Sequence, residues 1–570
     1  MKTSFFFFAL LSFLVYLLSG CAGQVPPDGG PVDREPPTII STYPANYATR
    51  FRDNRIALEF NEYVDRRSVQ ESIFISPYVG ELEFEWSGRE VEIRFSEPLH
   101  ENRTYVVNVG TDVVDLNNRN RMAQAFTLAF STGDFIDRGA IEGKVYGATS
   151  KDSPEGVMIF AYLLIPGAPD SLNPRTTKPD YITQTGKTGE FALRHLLLGK
   201  YRLLAVRDEY RNLLYDPEAD DYGVPSFDIQ LNMLDTLRRD VTMRLAKEDT
   251  TAPRLLKVTA QDRSRLLLEF SEALDTSTVA PQYFSIRDTI ENTAVAVRYA
   301  VPILSKLSTV MLLTDPAQES RGYRLTAERI RDQAGNVIHP LANSTSFSGS
   351  SLPDTVRPTV GSFSIPDSTR SVELQPKFLL TFSDVMERTS VEESIAVQDS
   401  SGSPVPLSLR QLNSAAWELH FPQPLRSLTW YVVAVDVTKA RNVHGIAGAG
   451  SKRSYRFQTL DAELLSSIEG RVVDRSTADT SGTIVLIAEN VGALSQRIFT
   501  IQLSRPGEFA FRNLGEGQYL LRAYRDRNGN GVFDAGRPFP FQSSERFAVY
   551  PDTLKLRARW PLEGVTIELK

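Results

Sequence analysis

Cysteine is all but absent: Cys21 stands alone in 570 residues. Such a chain builds no disulfide, no thiolate zinc site and no CxxC redox centre. Histidine is nearly as scarce. His100, His195, His339, His420 and His444 are scattered, with neither an HExxH pair nor a His-rich run. That inventory gives no footing to a metallohydrolase or a histidine-dependent hydrolase. Excess positive charge is lacking too. Lys and Arg total 63 against 70 Asp and Glu, a formal charge of −7, so there is no basic footprint for nucleic acid. No apolar run approaches the ~20 residues of a comfortable bilayer span. The stretch from Phe5 to Leu18, following Lys2, fits instead the h-region of a signal peptide.

What is present argues for several folded β domains. Hydrophobic residues make up 41% and charged residues 23%, the profile of a chain with a real core. Gly 35 and Pro 33 supply many turns, and Tyr 21 and Phe 31 suit strands better than helical bundles. At ~100–200 residues per domain this length predicts roughly three to five domains.

The apolar run ends Leu18-Ser19-Gly20-Cys21, which resembles the lipobox of bacterial lipoproteins. The resemblance implies removal of a signal peptide over residues 1–20 and lipidation of Cys21 with three acyl chains. More than one chain is what stable anchoring requires. Ala22, where an Asp commonly retains such lipoproteins in the inner membrane, implies the outer one. Residues 21–35, rich in Pro, Gly and Asp, read as a tether between lipid and first folded domain.

Internal repeats set the domain plan. Ile56-Ala57-Leu58-Glu59-Phe60-Asn61-Glu62, Leu266-Leu267-Leu268-Glu269-Phe270-Ser271-Glu272 and Phe378-Leu379-Leu380-Thr381-Phe382-Ser383-Asp384 share one alternating pattern, each after a proline-marked entry at Pro36-Pro37, Pro253 or Pro358. Alternation of apolar positions places one face of a strand in a core. Later strands, such as Tyr105 to Val109, Thr127 to Phe130, Tyr431 to Val435 and Tyr455 to Phe457, complete sandwiches of about 100 residues. These units resemble the SbsA-type bacterial Ig-like domain, over residues 36–134, 249–350 and 354–460. The turn Asp332-Gln333-Ala334-Gly335-Asn336 carries the resemblance best in the second copy.

A second repeat fills the intervals. Ile141-Glu142-Gly143-Lys144-Val145 matches Ile468-Glu469-Gly470-Arg471-Val472, and Gly189-Glu190-Phe191-Ala192 through Asp208 matches Gly507-Glu508-Phe509-Ala510 through Asp526. This pattern resembles the transthyretin-like sandwich of CnaB-like and carboxypeptidase-regulatory domains, over 138–246 and 464–570. Short linkers fall at 246–250 and 350–354. The fold class expected is all-β: tandem β-sandwich domains in an elongated array.

Two constellations invite chemistry. Glu62 with Asp65, Glu272 with Asp275, and Asp384 with Glu387 are carboxylates three residues apart after a strand. Acid–base catalysis wants one such pair in one cleft, whereas here the pair recurs in each copy, as residues of the fold do. Their oxygens are expected to bond nearby backbone N–H groups. The segment from Asp526 to Asp534 is sharper. Asp526, Asn528, Asn530 and Asp534, with Gly531 at the turn, match the first half of an EF-hand-type calcium loop. Arg537 stands where the bidentate Glu would be, so a further ligand must come from elsewhere. An Asn/Gly-rich hairpin turn is the competing reading. The homologous loop keeps Asp208, Asn212 and Asp216, with Tyr210 and Leu213 in place of Asn528 and Gly531. Some CnaB-like domains close a Lys–Asn isopeptide bond; Lys144 lies at a suitable place, but its counterpart is the unreactive Arg471. Tyr210, Tyr215 and Tyr222 offer aromatic surface for sugar rings.

The reading is a non-enzymatic, lipid-anchored envelope protein at the outer membrane, periplasmic or surface-exposed. Its role would be structural, adhesive or protein-binding, with calcium as the candidate cofactor and an envelope protein or glycan as partner. A carbohydrate- or peptide-capturing lipoprotein of an uptake system is the first alternative. An enzyme with a site between domains is the second, although no catalytic domain accompanies the regulatory-type modules.

Overall fold

The structure is a computed structural model describing residues 33–165, 167, 171–476, 480–491 and 497–569. The signal peptide, Cys21 and most of the tether lie outside these described residues. The fold is all-β, built of tandem sandwiches, as the alternation predicts. Five apolar cores follow one another, spanning Phe51 to Phe130, Ile141 to Leu245, Leu255 to Phe347, Val360 to Phe457 and Ile468 to Leu569. Each is enclosed by two sheets, and the five units are numbered below in chain order.

The repeated strands lie at the centre of the Ig-like units. In Arg55–Phe60 and Lys377–Phe382 every second residue is buried. Ile56, Leu58 and Phe60, and likewise Phe378, Leu380 and Phe382, enter the cores because a strand's side chains alternate between faces. Each such side chain contributes about 1.5–3 kcal/mol by leaving water. In unit one Arg55–Phe60 pairs with Ile39–Tyr43 and Glu90–Phe95, and Leu82–Ser87 completes that sheet. A three-stranded sheet of Ile73–Ser76, Thr104–Val109 and Phe126–Ser131 faces it. A short helix, Arg66–Ser72, crosses between the layers.

Units two and five share a different plan. Gly139–Tyr146 lies between Glu190–Leu196 and a parallel partner, Leu237–Arg244. Ser466–Asp474 lies in the same way between Glu508–Leu514 and Leu562–Leu569. The glycine of the repeated Ile-Glu-Gly triplet is explained by close approach. A Cβ on Gly143 would stand 2.2 Å from the Val241 carbonyl oxygen, and one on Gly470 would stand 1.9 Å from that of Val565. Only a residue without a side chain lets the parallel strand lie this near.

A string laid out in chain order would keep units two and five apart, yet they touch. Tyr222 Oη donates to the Gly536 carbonyl at 2.8 Å, Arg202 stacks 3.7 Å from the Phe541 ring centre, and Tyr146 meets Phe547 edge-on at 5.6 Å. The chain therefore returns on itself. Small apolar clusters seal such junctions: Val301, Met311 and Leu313 of unit three pack on Val385 and Ala415 of unit four. Unit one is fixed to unit two by the Asn108 side-chain amide donating to the Ile182 carbonyl at 2.9 Å and by Ile182 N–H donating to Ser76 Oγ at 3.0 Å.

Candidate functional site: the carboxylate loops and entry clusters

The segment from Asp526 to Asp534 leaves the end of strand Gly517–Asp526 and curls around its first aspartate. Asp526 is buried and accepts backbone N–H bonds from Gly529 (2.7 Å), Asn530 (3.2 Å) and Gly531 (2.8 Å). Gly529 and Gly531 take φ of +75° and +76°, the left-handed backbone that the curl requires. Asn528 and Asn530 donate side-chain N–H groups to Asp534 Oδ2 at 2.6 and 3.4 Å. Asp526, Asn528, Asn530 and Asp534 thus sit in one compact loop.

Arg537, at the twelfth position, turns away and pairs its backbone with Gln542. Glu545 reaches the loop instead. It is buried, and its two oxygens accept from Arg527 N–H (2.7 Å) and Asp534 N–H (3.1 Å). Burial, with the charges of Asp534 and Asp526 adding to it, pushes the Glu545 carboxyl above its usual range. The earlier loop repeats the design. Asp208 accepts from Asn212 N–H and Leu213 N–H, and Asn212 donates to Asp216 at 2.8 Å. Asp220, fully buried, accepts from Glu209 N–H and Asp216 N–H at 3.0 and 2.8 Å. Its carboxyl too is raised, chiefly by burial and further by Asp208 and Asp216. Leu213 holds the left-handed conformation, φ +60°, that Gly531 adopts in the later copy.

Glu545 and Asp220 escape sequence reading because nothing local marks them; they lie beyond the loop on the returning chain. The donor set of the later loop is three carboxylates and two amide oxygens, the hard oxygen chemistry that calcium takes. Asn528 and Asn530 turn their N–H groups to Asp534, and their amide oxygens accept from Asn530 N–H and Val532 N–H, so a cation would have to displace these bonds to be held here.

The three-apart carboxylates divide by role. Asp65 caps the helix Arg66–Ser72, accepting from Arg67 N–H (2.9 Å) and Ser68 N–H (3.2 Å). Asp275 accepts from Ser277 N–H at 2.9 Å, and Asp384 from Val385 N–H at 2.7 Å. Glu387 makes no side-chain cap bond to its helix, Arg388–Ser394, and Glu62 and Glu272 join carboxylate clusters instead. The expectation of backbone bonding thus describes Asp65, Asp275 and Asp384 and not the other three.

In the clusters, Glu62 meets Asp33 of the entry segment and Asp115 of a distant turn, and Glu272 meets Asp249 and Asp332. In each trio one oxygen of every carboxylate lies within 4.8 Å of the others. Glu62 and Glu272 are both held above their ordinary range by burial and by these neighbours. Unit four has Asp354, Asp384 and Asn442 at the corresponding places, and here a cation is seated. The Arg265 guanidinium of unit three lies 2.7 Å from Asp384 and 3.4 Å from Asp354.

Other expected site residues stand elsewhere. Lys144 pairs with Glu190 at 3.3 Å. Of the three tyrosines, Tyr210 is 67% exposed, whereas Tyr215 and Tyr222 are buried. Tyr215 Oη donates to Glu248 and Tyr222 Oη to Gly536, so no three-ring sugar platform forms.

Comparison with known proteins bears on the Ig-like units. The model of the family described as bacterial Ig-like domain matches residues 33–132 and 354–459. Among solved structures, the N-terminal part of the bacterial S-layer protein SbsC is similar at 16% identity over 36% of this chain and 44% of that one, with a TM-score of 0.17. Domains 1–6 of SbsC align at 9% identity over 92% of this chain and 68% of that one, TM-score 0.17. The native conformation of Escherichia coli alpha-2-macroglobulin aligns at 11% identity over 92% of this chain and 34% of that one, TM-score 0.14. The chain thus spans less than half the length of the first two structures that it matches. These scores carry no inference about role. No curated protein matches the chain.

Proposed function

We propose that this protein is a non-catalytic, lipid-anchored component of the bacterial cell envelope, in which a folded stack of sandwiches holds binding surfaces at a fixed distance from the outer membrane. One observation supports this above the rest. The recurrent carboxylates that resemble catalytic pairs are absorbed by the fold, as helix caps, as inter-unit ion pairs or as clusters repeated in successive units. A catalytic site is built once, whereas these positions follow the repeat. The Ig-like family match agrees with a structural or interaction role.

Buried junctions add a mechanical element. Units one and two, two and five, and three and four are joined by hydrogen bonds, ring contacts or buried charge. A stack fixed in this way transmits position from its anchor to its far surfaces better than flexibly linked domains do. Calcium in the loop from Asp526 to Asp534, completed by Glu545, would stiffen the segment that covers unit two.

Labelled palmitate tests the anchor. Incorporation into the whole protein and its loss in Cys21→Ala support the reading, and an unlabelled wild-type chain in the membrane fraction overturns it. Protease shaving of intact cells then separates an outward-facing from a periplasmic ectodomain.

A further inference from the structure

A cleft of about 1130 Å³ opens where units two and five meet. Tyr146 of unit two and Tyr524, Phe533 and Phe547 of unit five line it. Their rings meet edge to face: Tyr146 on Phe547 at 5.6 Å, Phe533 on Phe547 at 5.3 Å and Tyr524 on Phe533 at 5.8 Å. Aromatic walls with a few convergent polar groups are the usual make-up of a small-molecule site.

The charged groups here are mostly cationic. Lys144, Lys151, Arg244 and Arg522 line the cleft against one acid, Asp152. Lys144 is engaged by Glu190, and Asp152 accepts from Thr149 N–H. Arg522 is paired to Glu489 through Nη2, while its buried Nε has no hydrogen-bond partner. Of the two remaining cations, Lys151 is exposed, and the one half-buried in the wall is Arg244. It donates to the Ala148 carbonyl at 2.6 Å and stands 5.3 Å from the Phe533 ring centre, and it makes no ion pair among the described residues. Burial and the neighbouring Arg522 charge lower its pKa, with Glu489 opposing them. A guanidinium offers a planar fork of donors that matches a carboxylate.

We infer that this cleft binds an organic carboxylate with an apolar body, the carboxylate on Arg244 and the body against Tyr146, Phe533 and Phe547. The inference goes beyond the envelope role and does not depend on lipidation. Two sources present this chemistry, a polypeptide C-terminus and a free carboxylic acid.

Calorimetric titration of the lipid-free chain with N-acetyl-phenylalanine, its C-terminal amide and 3-phenylpropanoate tests the inference. The acid is expected to saturate one site per chain and to bind at least about tenfold more tightly than the amide, as loss of a charged hydrogen-bond partner dictates. Arg244→Gln should abolish that acid-over-amide preference. Phe533→Ala, which leaves both arginines in place, should weaken acid and amide alike by about fivefold and keep the preference. Binding of 3-phenylpropanoate equal to that of N-acetyl-phenylalanine assigns free acids, and a requirement for the acetylamino group assigns a polypeptide end. Equal affinity of wild type for acid and amide, no saturable binding, a preference that survives Arg244→Gln, or wild-type affinity in Phe533→Ala each overturns the proposal.

Discussion

Replacing Arg265 with Met should uncouple units three and four. The guanidinium is 4% exposed and lies 2.7 Å from Asp384 and 3.4 Å from Asp354. At an effective dielectric of 20 each contact represents about 5–6 kcal/mol of gross attraction, most of it offset by the desolvation of the charges. Removing the cation leaves the desolvation cost in place. Asp384, 1% exposed at its side chain, would keep its bonds from Val385 N–H and the Asn442 amide but lose its counter-charge. Truncation of one partner of such a buried pair costs about 3–5 kcal/mol. Hydrogen exchange is the suitable assay, because a five-unit chain does not unfold in two states. The amides to follow are Leu268 and Leu380, in the central strands of the two units. Their exchange should accelerate by roughly two to three and a half powers of ten where opening of the units controls it. Adding Asp384→Asn to Arg265→Met should recover part of the loss, since the nearest of the charges left behind is then gone while Asp354 and Asp262 remain. A change below about tenfold at both amides, or a double variant no better protected than the single one, would refute the reasoning.

Asp65→Ala should cost about 1 kcal/mol in urea unfolding of unit one, whereas Glu387→Ala, whose side chain makes no cap bond, should stay within about 0.5 kcal/mol in unit four. Gly143→Ala should destabilise unit two by about 1–3 kcal/mol, since its new methyl group meets the Val241 carbonyl as well as the Phe191 ring, and the backbone contact cannot be relieved by a rotamer change; melting followed by near-ultraviolet dichroism checks this. Calcium at about a hundred times its dissociation constant should stabilise the chain by about 2.7 kcal/mol, and a melting midpoint indifferent to chelator disposes of the loop site. The pH dependence has a definite sign. Because the folded-state pKa of Glu545 is raised above the unfolded value of about 4.5, the metal-free fold binds more protons than the unfolded chain and loses stability as pH climbs through that window. The calcium-induced rise in midpoint should therefore be larger at pH 7.5 than at pH 4.5, and Glu545→Gln should flatten the difference.

The strands of the Ig-like units were legible because burial there alternates with the sequence. Ile56, Leu58 and Phe60 announce their face two residues apart, and nothing from outside the unit changes it. The curl around Asp526 was legible for a related reason: Asp526, Asn528 and Asn530 are near neighbours whose spacing sets the turn. Legibility stops where the partner is remote. Tyr222 reads as one more surface aromatic until Gly536, 314 residues later, is laid over it. Glu545 is an ordinary glutamate until the returning chain brings it under the loop, and Arg265 looks like the exposed start of a strand whose next alternate positions are buried.

The entry clusters show how one geometry accommodates different electrostatic solutions. Strand end, entry segment and distant turn converge in units one, three and four, with isolated bridges pairing Val64 to Asp115, Leu274 to Asp332 and Met386 to Asn442. The backbone therefore fixes where the three side chains meet, and sequence decides only their charge. In unit four one of the three is the neutral Asn442, and the two acids share Arg265 from the preceding unit, so docking offsets one of their two charges. In units one and three all three positions are acidic, and Glu62 and Glu272 carry the cost as raised pKa values. Docking is thus written into unit four by the loss of one carboxylate and the gain of one arginine on its neighbour. If that account holds, Asn442→Asp should weaken the docking, because it replaces the amide N–H donated to Asp384 with a third negative charge, and Asp115→Asn in unit one should lower the pKa of Glu62 toward its ordinary value by removing one of the charges that raise it. Carboxyl titration by nuclear magnetic resonance reads the second effect directly, and a Glu62 pKa unmoved by the substitution would show that burial alone sets it.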